Sequence, residues 1–202
     1  MFTEKENLIL ITLIPAYFPP ISHWKYILKN CSWDIDSYYK KQTLRNRTYI
    51  HGANGLLMLT VPIKHSGTGK KRKFIEIEIE NDHGWKRKHF KSIKIAYQSS
   101  PYYEYYESYL IELFNKDFKK LFNLNLASIE LISKCLNLEL KNRVLKINSR
   151  INNSSYEIIN IKRSKEKNKK YIQTFQEKNG FINDLSILDL LFNCGPQSLD
   201  FL

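Results

Sequence analysis

The chain has 202 residues and a formal net charge of +12, with 43% hydrophobic residues and few glycines or prolines. This length fits one domain, and the composition excludes disordered, repetitive and collagen-like proteins. Its three cysteines, Cys31, Cys135 and Cys194, form no CxxC pair, which excludes a zinc-binding motif and a disulfide framework. The positive charge favours polyanions as partners, among them nucleic acid, nucleotide phosphates, anionic lipid and acidic glycans. The joint abundance of Lys, Asn and Ile allows another interpretation, codon bias acting on a solvated surface.

The first predicted element is a buried strand over Leu8–Ile14, a continuous run of β-forming apolar residues. Prolines end this strand, and Ser22 is a candidate N-cap for a short helix that reaches Asn30. The apolar run is too short to span a bilayer and follows acidic residues rather than a basic segment. We therefore expect neither a transmembrane segment nor a signal peptide, and a cytoplasmic location.

A β-hairpin is predicted next. Thr48–Ile50 and Leu56–Ile63 are its strands, and Asn54-Gly55 is a strong turn dipeptide because glycine accepts a positive φ. Residues Phe74–Glu80 then alternate between apolar and acidic side chains. This alternation predicts a half-buried strand with its isoleucines inward and its glutamates outward.

Helical periodicity predicts three longer helices, at Trp85–Gln98, Tyr102–Phe118 and Leu126–Leu140. Asp82 is a candidate cap for the first of them. The residues expected to form its inward stripe are Trp85, His89, Ile93, Ala96 and Tyr97.

The last third of the chain is less regular. Residues 148–170 are rich in Asn, Ser, Lys and Arg and predict a flexible loop with room for one edge strand. A short helix is expected over Ile187–Phe192, where Ser186 and Asp189 resemble a capping box. The elements together predict a single domain over residues 1–202 of the α/β class, with a mixed sheet, one antiparallel hairpin and helices packed on the sheet. The α+β class is the alternative.

The densest group of polar side chains lies between Tyr39 and Ile50. If this segment is extended, Arg45 and Arg47 share one face, and two guanidinium groups can hold a carboxylate or a diphosphate through paired hydrogen bonds. Cross-strand ion pairs with the glutamates of Phe74–Glu80 explain the same arginines equally well.

His89 is the histidine best placed to act as a general base or acid near neutral pH. The alternative is a half-buried histidine bonded to a backbone carbonyl. Glu104, among the tyrosines of residues 101–107, is a candidate acid, base or hydroxyl acceptor, or else a glutamate favoured by the dipole at the start of a helix. No histidine pair has metal-ligand spacing, so no metal is predicted, and no cofactor is indicated. Signatures of specific nucleic-acid binding are also missing.

Several segments, taken in order, resemble the WbqC-like family of bacterial proteins. The matching segments are Pro15–Pro20, Tyr39–Ile50 with its Gln-Thr-x-Arg-Asn-Arg core, Asn54-Gly55, Leu59–Pro62, Trp85 with His89, Ala96-Tyr97, Ser100–Tyr106, Tyr171–Phe175 and Gly180–Phe192. More typical members begin with His-Gln-Pro-x-Tyr-x-Pro. This chain has Ile-Pro-Ala-Tyr-Phe-Pro-Pro at residues 14–20, so the histidine of that motif is missing.

The resemblance implies a cytoplasmic transferase of O-antigen or other surface polysaccharide biosynthesis. It would attach an amino acid such as glycine, or an acyl group, to a nucleotide-linked amino sugar, so its partner would be a nucleotide-activated sugar or another anionic small molecule. His89 and Glu104 would be the catalytic residues, and we expect His89 to meet the two arginines in one concave cleft. The expected substrate contacts are Tyr17, Gln42, Arg45, Asn46, Arg47, Trp85 and Tyr97. The alternative is a non-enzymatic scaffold that binds polyanions or nucleotide-sugars.

Overall fold

The structure is a computed structural model that describes residues 10–29, 31–65, 67, 71–82, 84–141, 143–145, 156–158, 163–165 and 167–202. Its strands are β1 (Leu10–Leu13), β2 (Ser32–Asp34), β3 (Arg47–Gly52), β4 (Gly55–Thr60), β5 (Arg143–Leu145) and β6 (Tyr156–Ile158). Its helices are α1 (Ile21–Ile27), α2 (Trp85–Tyr97), α3 (Tyr103–Asn115), α4 (Leu121–Cys135), α5 (Gln176–Asn179) and α6 (Ile187–Cys194).

Four short strands form a parallel sheet in the order β5-β2-β1-β6. Helix α1 connects β1 to β2, as a parallel pair requires a crossover connection. The predicted class is confirmed, since helices, a small sheet and one antiparallel hairpin are all present. The hairpin of β3 and β4 forms a separate ribbon, however, rather than part of the same sheet.

Helix α1 differs in its boundaries from the prediction. It begins at Ile21 with Pro20 as its N-cap residue, and it ends at Ile27, before Asn30. Ser22 is not the cap. Its backbone N–H and hydroxyl instead donate to the Asp184 carboxylate at 2.9 and 3.1 Å, so a residue distant in the sequence satisfies one of the free backbone donors of this helix.

The hairpin turn is confirmed. Gly52 pairs with Gly55 across the two turn residues, and Gly55 adopts the left-handed conformation, with φ at +95°. Strand β4 ends at Thr60, before the predicted Ile63, which forms only an isolated bridge with Ile79.

The strand predicted over Phe74–Glu80 is wrong. Phe74–Glu76 is a 3₁₀ turn, closed by the Lys73 N–H, which donates to the Glu76 carboxylate at 3.0 Å. The residues that follow form single bridges rather than a ladder, because no strand in the described part of the chain lies alongside them. Ile77 and Ile79 do point inward, but Ile75 is 37% exposed.

The predicted inward stripe of α2 is confirmed, since all five of its residues are buried. The predicted cap is wrong, because Gly84 rather than Asp82 occupies the N-cap position. Helix α4 begins at Leu121, five residues earlier than expected, and the free Leu121 N–H at its start donates to the Ile77 carbonyl at 2.9 Å.

Strand β6 lies within the loop predicted for residues 148–170 and occupies an edge of the sheet, as anticipated. Most of that loop lies outside the described residues, and β5 was not predicted. Among the described helices, none combines the length and the apolar composition that crossing a bilayer demands.

Gly195 ends α6 at a point of close contact. Its φ is +55°, and a Cβ atom built there would lie 2.4 Å from Cδ1 of Tyr102. We expect Gly195→Ala to lower the free energy of unfolding by about 2–3 kcal/mol, because strain and overlap add. Gly84→Ala is the control for a positive φ without overlap, since its φ is +59° with ψ at 28°, in the left-handed helical region, and its Cβ would meet nothing within 4 Å, whereas Gly195 also has a less favourable ψ of −131°. Gly84→Ala should lower the free energy of unfolding by about 1 kcal/mol. If urea unfolding gave the same loss for Gly195→Ala, the overlap with Tyr102 would contribute nothing.

Candidate functional site

Arg45 is a buried cation that has no carboxylate partner among the described residues. Its side chain is 1% exposed, and its guanidinium donates to neutral oxygens. These are the Tyr38 carbonyl at 3.3 Å, the Thr43 hydroxyl at 3.4 Å and the Ser37 hydroxyl at 3.5 Å. Burial lowers the pKa of Arg45 to about 10, and the charge of Asp34 opposes that effect. Its guanidinium carbon also lies 5.5 Å from the centre of the Phe74 ring.

Unsatisfied polar atoms concentrate around the Arg-Asn-Arg segment. In the described part of the chain, six buried side-chain nitrogens or oxygens lack a hydrogen-bond partner, and three are Arg45 Nε, Asn46 Oδ1 and Arg47 Nε. A fourth is Oδ1 of Asn125, whose Nδ2 donates to the carbonyl of Arg45 at 2.7 Å. Folded proteins rarely leave such groups unpaired, so this concentration indicates a place that a ligand or water completes.

The charges of three arginines influence the pKa of the Tyr39 hydroxyl. Burial raises its pKa, and the charges of Arg45, Arg47 and Arg72 each oppose that rise. The predicted alternative, in which glutamates neutralise Arg45 and Arg47, is not observed within the described ranges. Glu78 pairs with Lys64 at 3.7 Å and Lys120 at 3.1 Å instead.

His89 lies in a second cluster, on the buried side of α2. Its Nδ1 is 3.0 Å from the hydroxyl of Tyr17, and its ring also makes a backbone hydrogen bond with Thr60. Burial lowers the pKa of His89 to about 4, against the effect of that backbone bond. The imidazole is therefore neutral at pH 7, and we assign Nδ1 as acceptor from Tyr17 and the other nitrogen as donor to Thr60. Thr60 pairs with Arg47 across the hairpin, which connects this cluster to the arginines.

The remaining candidate residues are divided between the interior and the surface. Trp85 is buried and donates through Nε1 to the Asn81 side chain at 3.2 Å, and Asn46 donates to the Val61 carbonyl at 3.0 Å. Gln42 is exposed and adopts a φ of +59°. Glu104 is exposed in the first turn of α3, where the described residues offer it no hydrogen bond or ion pair.

Sequence analysis missed a third cluster, centred on Asp189. The hydroxyls of Tyr97 and Tyr171 donate to its two carboxylate oxygens at 2.8 and 2.5 Å. Gln173 in turn donates to the Tyr171 hydroxyl at 3.2 Å, and the His51 N–H donates to that of Tyr97 at the same distance. Asp189 is therefore not part of a capping box, although Ser186 does cap α6 by accepting from the Leu188 N–H at 3.3 Å.

A sequence signal for this third cluster did exist. Asp189 is the acidic residue in an otherwise apolar helix turn, where an ionised side chain requires buried partners. Burial raises the pKa of Asp189 to about 6, and hydrogen bonds from the two tyrosines oppose that rise.

Two surface cavities border α4 and contain none of the predicted site residues. One of about 190 Å³ lies against α3 and includes Tyr109 and Lys134, and the other of about 370 Å³ lies at the end of α4. No group of acidic, histidine or cysteine side chains in the described ranges has the arrangement of a metal site.

His89 is expected to make stability depend on pH. Its pKa falls from an ordinary 6.5 to about 4 on folding, so protonation favours the unfolded chain, and stability is lost as the pH falls through this range. The size of the effect is about 3 kcal/mol. His89→Gln should remove that contribution, so in urea unfolding its stability relative to the parent chain should rise as the pH falls from 6.5 to 4. The exposed His65→Gln is the control and should leave it intact, and an unchanged dependence in His89→Gln would contradict the assignment.

A small parallel sheet, a separate hairpin and a buried arginine segment define an α/β domain with a candidate anion site. The chain belongs to the WbqC-like protein family, whose profile matches residues 15–175 and 151–201. That family is associated with polysaccharide gene clusters. Neither a curated protein nor a solved structure matches the chain.

Proposed function

We propose that this protein is a transferase of surface polysaccharide biosynthesis that attaches an amino acid such as glycine, or an acyl group, to a nucleotide-linked amino sugar. Membership of the WbqC-like family supports the polysaccharide context. The observation that carries the proposal is the concentration of unpaired buried polar atoms at Arg45, Asn46 and Arg47. Both the sugar nucleotide and the acyl donor carry groups able to satisfy such atoms.

The two arginines would hold the diphosphate or the carboxylate of a substrate. A buried guanidinium is a stronger anion ligand than an exposed one, because little water competes for the charge. Keeping Arg45 buried without an anion costs stability, and a site that binds an anion recovers that cost. Donors already oriented in this way can also stabilise charge that develops during a reaction.

The chemical step would be amide formation. The amine of the sugar attacks the activated carbonyl of the donor, a C–N bond forms, and the bond to the leaving group breaks with its electron pair. The amine must lose a proton, and His89, neutral at pH 7, would accept it, although its low pKa makes it a weak base. Glu104 would help to position the donor.

The remaining candidate residues would orient the sugar or shape its binding site. Tyr17, Asn46 and Tyr97 are buried and hold internal hydrogen bonds, so substrate binding would have to exchange those bonds for bonds to sugar hydroxyls. Trp85 packs against His89, with ring centres 5.1 Å apart, and would fix the orientation of the imidazole. Gln42, which is exposed, would meet the substrate at the surface.

The test is a reaction with a panel of substrates. The purified chain is incubated with nucleotide-linked amino sugars and activated amino acids, and products are identified by mass spectrometry. We expect an amide-linked product in at least one combination, and loss of that product in Arg47→Gln. Unchanged substrates throughout a broad panel would overturn the proposal.

The second candidate function is a non-enzymatic scaffold that binds polyanions. Arg87, Lys88 and Lys91 are exposed on α2, and the described residues provide no ion pair for them. A surface of this kind binds nucleic acid or anionic lipid with an affinity that falls steeply as salt rises from about 50 to about 200 mM. Triple replacement of these three residues by Gln should abolish such binding. A salt-independent affinity for a small nucleotide-sugar would favour the transferase instead.

A further inference from the structure

We propose that the free edge of strand β4 is a docking site for an extended, acidic segment of a partner protein, which pairs with β4 as a third strand of the ribbon. Sheets bind extended peptides in this way, and the backbone hydrogen bonds of the added strand supply much of the affinity. The proposal concerns an interaction surface and is independent of the proposed transferase activity.

The backbone of β4 has hydrogen-bonding groups that point away from β3, and contacts of β3 establish their direction. The Tyr49 carbonyl accepts from the N-cap residue of α6 at 2.8 Å, and the His51 N–H donates to a tyrosine hydroxyl of α2 at 3.2 Å. Backbone groups of both residues therefore point away from β4. Met58 lies opposite Tyr49 and Leu56 lies opposite His51. Because the two residues of such a pair point their backbone groups in opposite directions, those of Leu56 and Met58 face the open side of β4.

These groups of β4 lack the partners that β3 has. The hairpin is a two-stranded sheet, and within the described ranges no group bonds to the N–H or C=O of Leu56 or Met58. At the end of the strand, the His89 ring makes its hydrogen bond with the Thr60 backbone. The open edge is therefore Leu56–Met58, and an unpaired row of backbone groups of this kind is a template for another strand.

The side chains of the open edge are apolar on both faces of the ribbon. Leu56, Leu57 and Met58 are 47%, 38% and 44% exposed. Strand β4 contains neither a charged residue nor a proline, which are usual means of protecting an exposed edge. An added strand would cover these side chains and pair the backbone as well. The hydrocarbon of a bilayer would cover the side chains but leave the backbone groups without partners, so the edge suits a strand better than a lipid.

Positive charge surrounds the open edge. Lys178 is exposed and donates to the Ala53 carbonyl in the hairpin turn at 2.9 Å. The guanidinium carbon of Arg163 lies 5.3 Å from the centre of the Tyr49 ring, and Tyr49 is the cross-strand neighbour of Met58.

Two more cations lie near the Thr60 end of the edge. Arg47 lies opposite Thr60 on β3, and the exposed Lys88 precedes the histidine that bonds to Thr60. Four cations thus adjoin the hairpin, and the described part of the chain provides no carboxylate within ion-pair distance of any of them: Arg47, Lys88, Arg163 and Lys178.

This charge favours an acidic partner over a second copy of the chain. Glu177 of α5 is exposed beside Lys178 and offsets one positive charge, which leaves an excess of cations. Two copies, each with a net charge of +12, repel one another when their edges approach. Carboxylates on an added strand would instead meet the cations on either side of it, which gives the interface its specificity.

Two short fluorescent peptides are the probes, one alternating valine with glutamate and the other alternating valine with lysine. Their binding to the full chain is measured by fluorescence anisotropy. The glutamate peptide should bind at least about tenfold more tightly than the lysine peptide. A glutamate peptide with N-methylated backbone amides has the same charge but lacks the donors of a strand, so it should lose at least about tenfold in affinity.

Met58→Pro tests the same hydrogen bonds from the side of the chain. It removes an N–H that takes no part in the ladder with β3, so the hairpin should persist while the affinity for the glutamate peptide falls about tenfold or more. Met58→Val is the matched control, since it keeps the N–H and an apolar side chain, and should stay within about threefold of the parent chain. If Met58→Pro proves unfolded in urea titration, the N-methylated peptide provides the same test on the parent chain.

Lys178→Glu tests the charge and should weaken binding of the glutamate peptide about three- to tenfold. Its control is Lys134→Glu, which reverses an exposed charge of α4 that lies over the Tyr109 ring, and which should have little effect.

Equal affinity for the two peptides, or equal affinity for the N-methylated peptide, would overturn the proposal. Dimers of the parent chain in sedimentation that Met58→Pro dissociates would assign the edge to a second copy and overturn the acidic partner. Binding to phosphatidylglycerol vesicles that Leu57→Glu abolishes, with neither peptide bound, would assign the surface to a bilayer and overturn it as well.

Discussion

Replacing Asp189 with alanine is expected to lower the free energy of unfolding by about 3–5 kcal/mol. The carboxylate is fully buried, and the hydroxyls of Tyr97 and Tyr171 both donate to it. The substitution leaves both hydroxyls buried without their acceptor and opens a cavity in the middle of α6. Urea unfolding at pH 7 measures the loss.

The Asp189→Asn variant separates the effect of hydrogen bonding on stability from the effect of charge. Its amide can accept from one tyrosine and donate to the other, so Asp189→Asn should cost much less than Asp189→Ala. The pKa of Asp189 rises from an ordinary 3.8 to about 6 on folding, so the folded chain binds the proton more tightly. The stability contributed by the protonated carboxyl is therefore present below about pH 4 and is lost as the pH rises to about 6, by about 3 kcal/mol. Asp189→Asn should gain relative to the parent chain across that interval.

The exposed Asp200→Ala is the control for both changes and should stay within about 0.5 kcal/mol of the parent chain. If Asp189→Ala behaved like Asp200→Ala, the buried network would contribute little to stability. A gain in stability of Asp189→Asn on acidification, relative to the parent chain, would contradict the sign derived from the pKa.

In contrast to Asp189, Arg45 is expected to contribute to function and not to stability. We expect Arg45→Met to lower kcat/KM for the transfer reaction about 10²–10³-fold while the free energy of unfolding stays equal or rises by about 1 kcal/mol. The physical reason is that the buried guanidinium has only long hydrogen bonds to neutral oxygens of the described residues, so an apolar side chain of similar length suits its surroundings better. Steady-state kinetics and urea unfolding of the same preparation test both parts.

Two further variants test whether the planar guanidinium group and the buried position of Arg45 are both needed for activity. Arg45→Lys retains a cation without the planar group and should recover only part of the activity. Lys41→Gln removes an exposed charge from the same segment and should change kcat/KM by less than about threefold. A large loss of stability in Arg45→Met with unaltered activity would show that the arginine serves the fold alone.

Sequence patterns determined the elements that depend only on neighbouring residues. The apolar stripe of α2 follows from helical spacing, the hairpin follows from Asn54-Gly55, and Ser186 caps α6 because a hydroxyl before a helix meets its free N–H groups. The arginine segment was also identified as a candidate site because its polar side chains are adjacent in sequence.

Tertiary structure decided everything that depends on a distant partner. The alternation of Phe74–Glu80 has the period of a strand, but a strand also needs a neighbour with which to form a ladder, and the described chain provides only single bridges there. The surroundings of Arg45 depend on the Tyr38 carbonyl and the Phe74 ring, which come from separate segments, and the role of Asp189 depends on tyrosines from two other parts of the chain. No local pattern records which side chains will meet across the core, because that choice minimises the free energy of the whole packed domain rather than of any one segment.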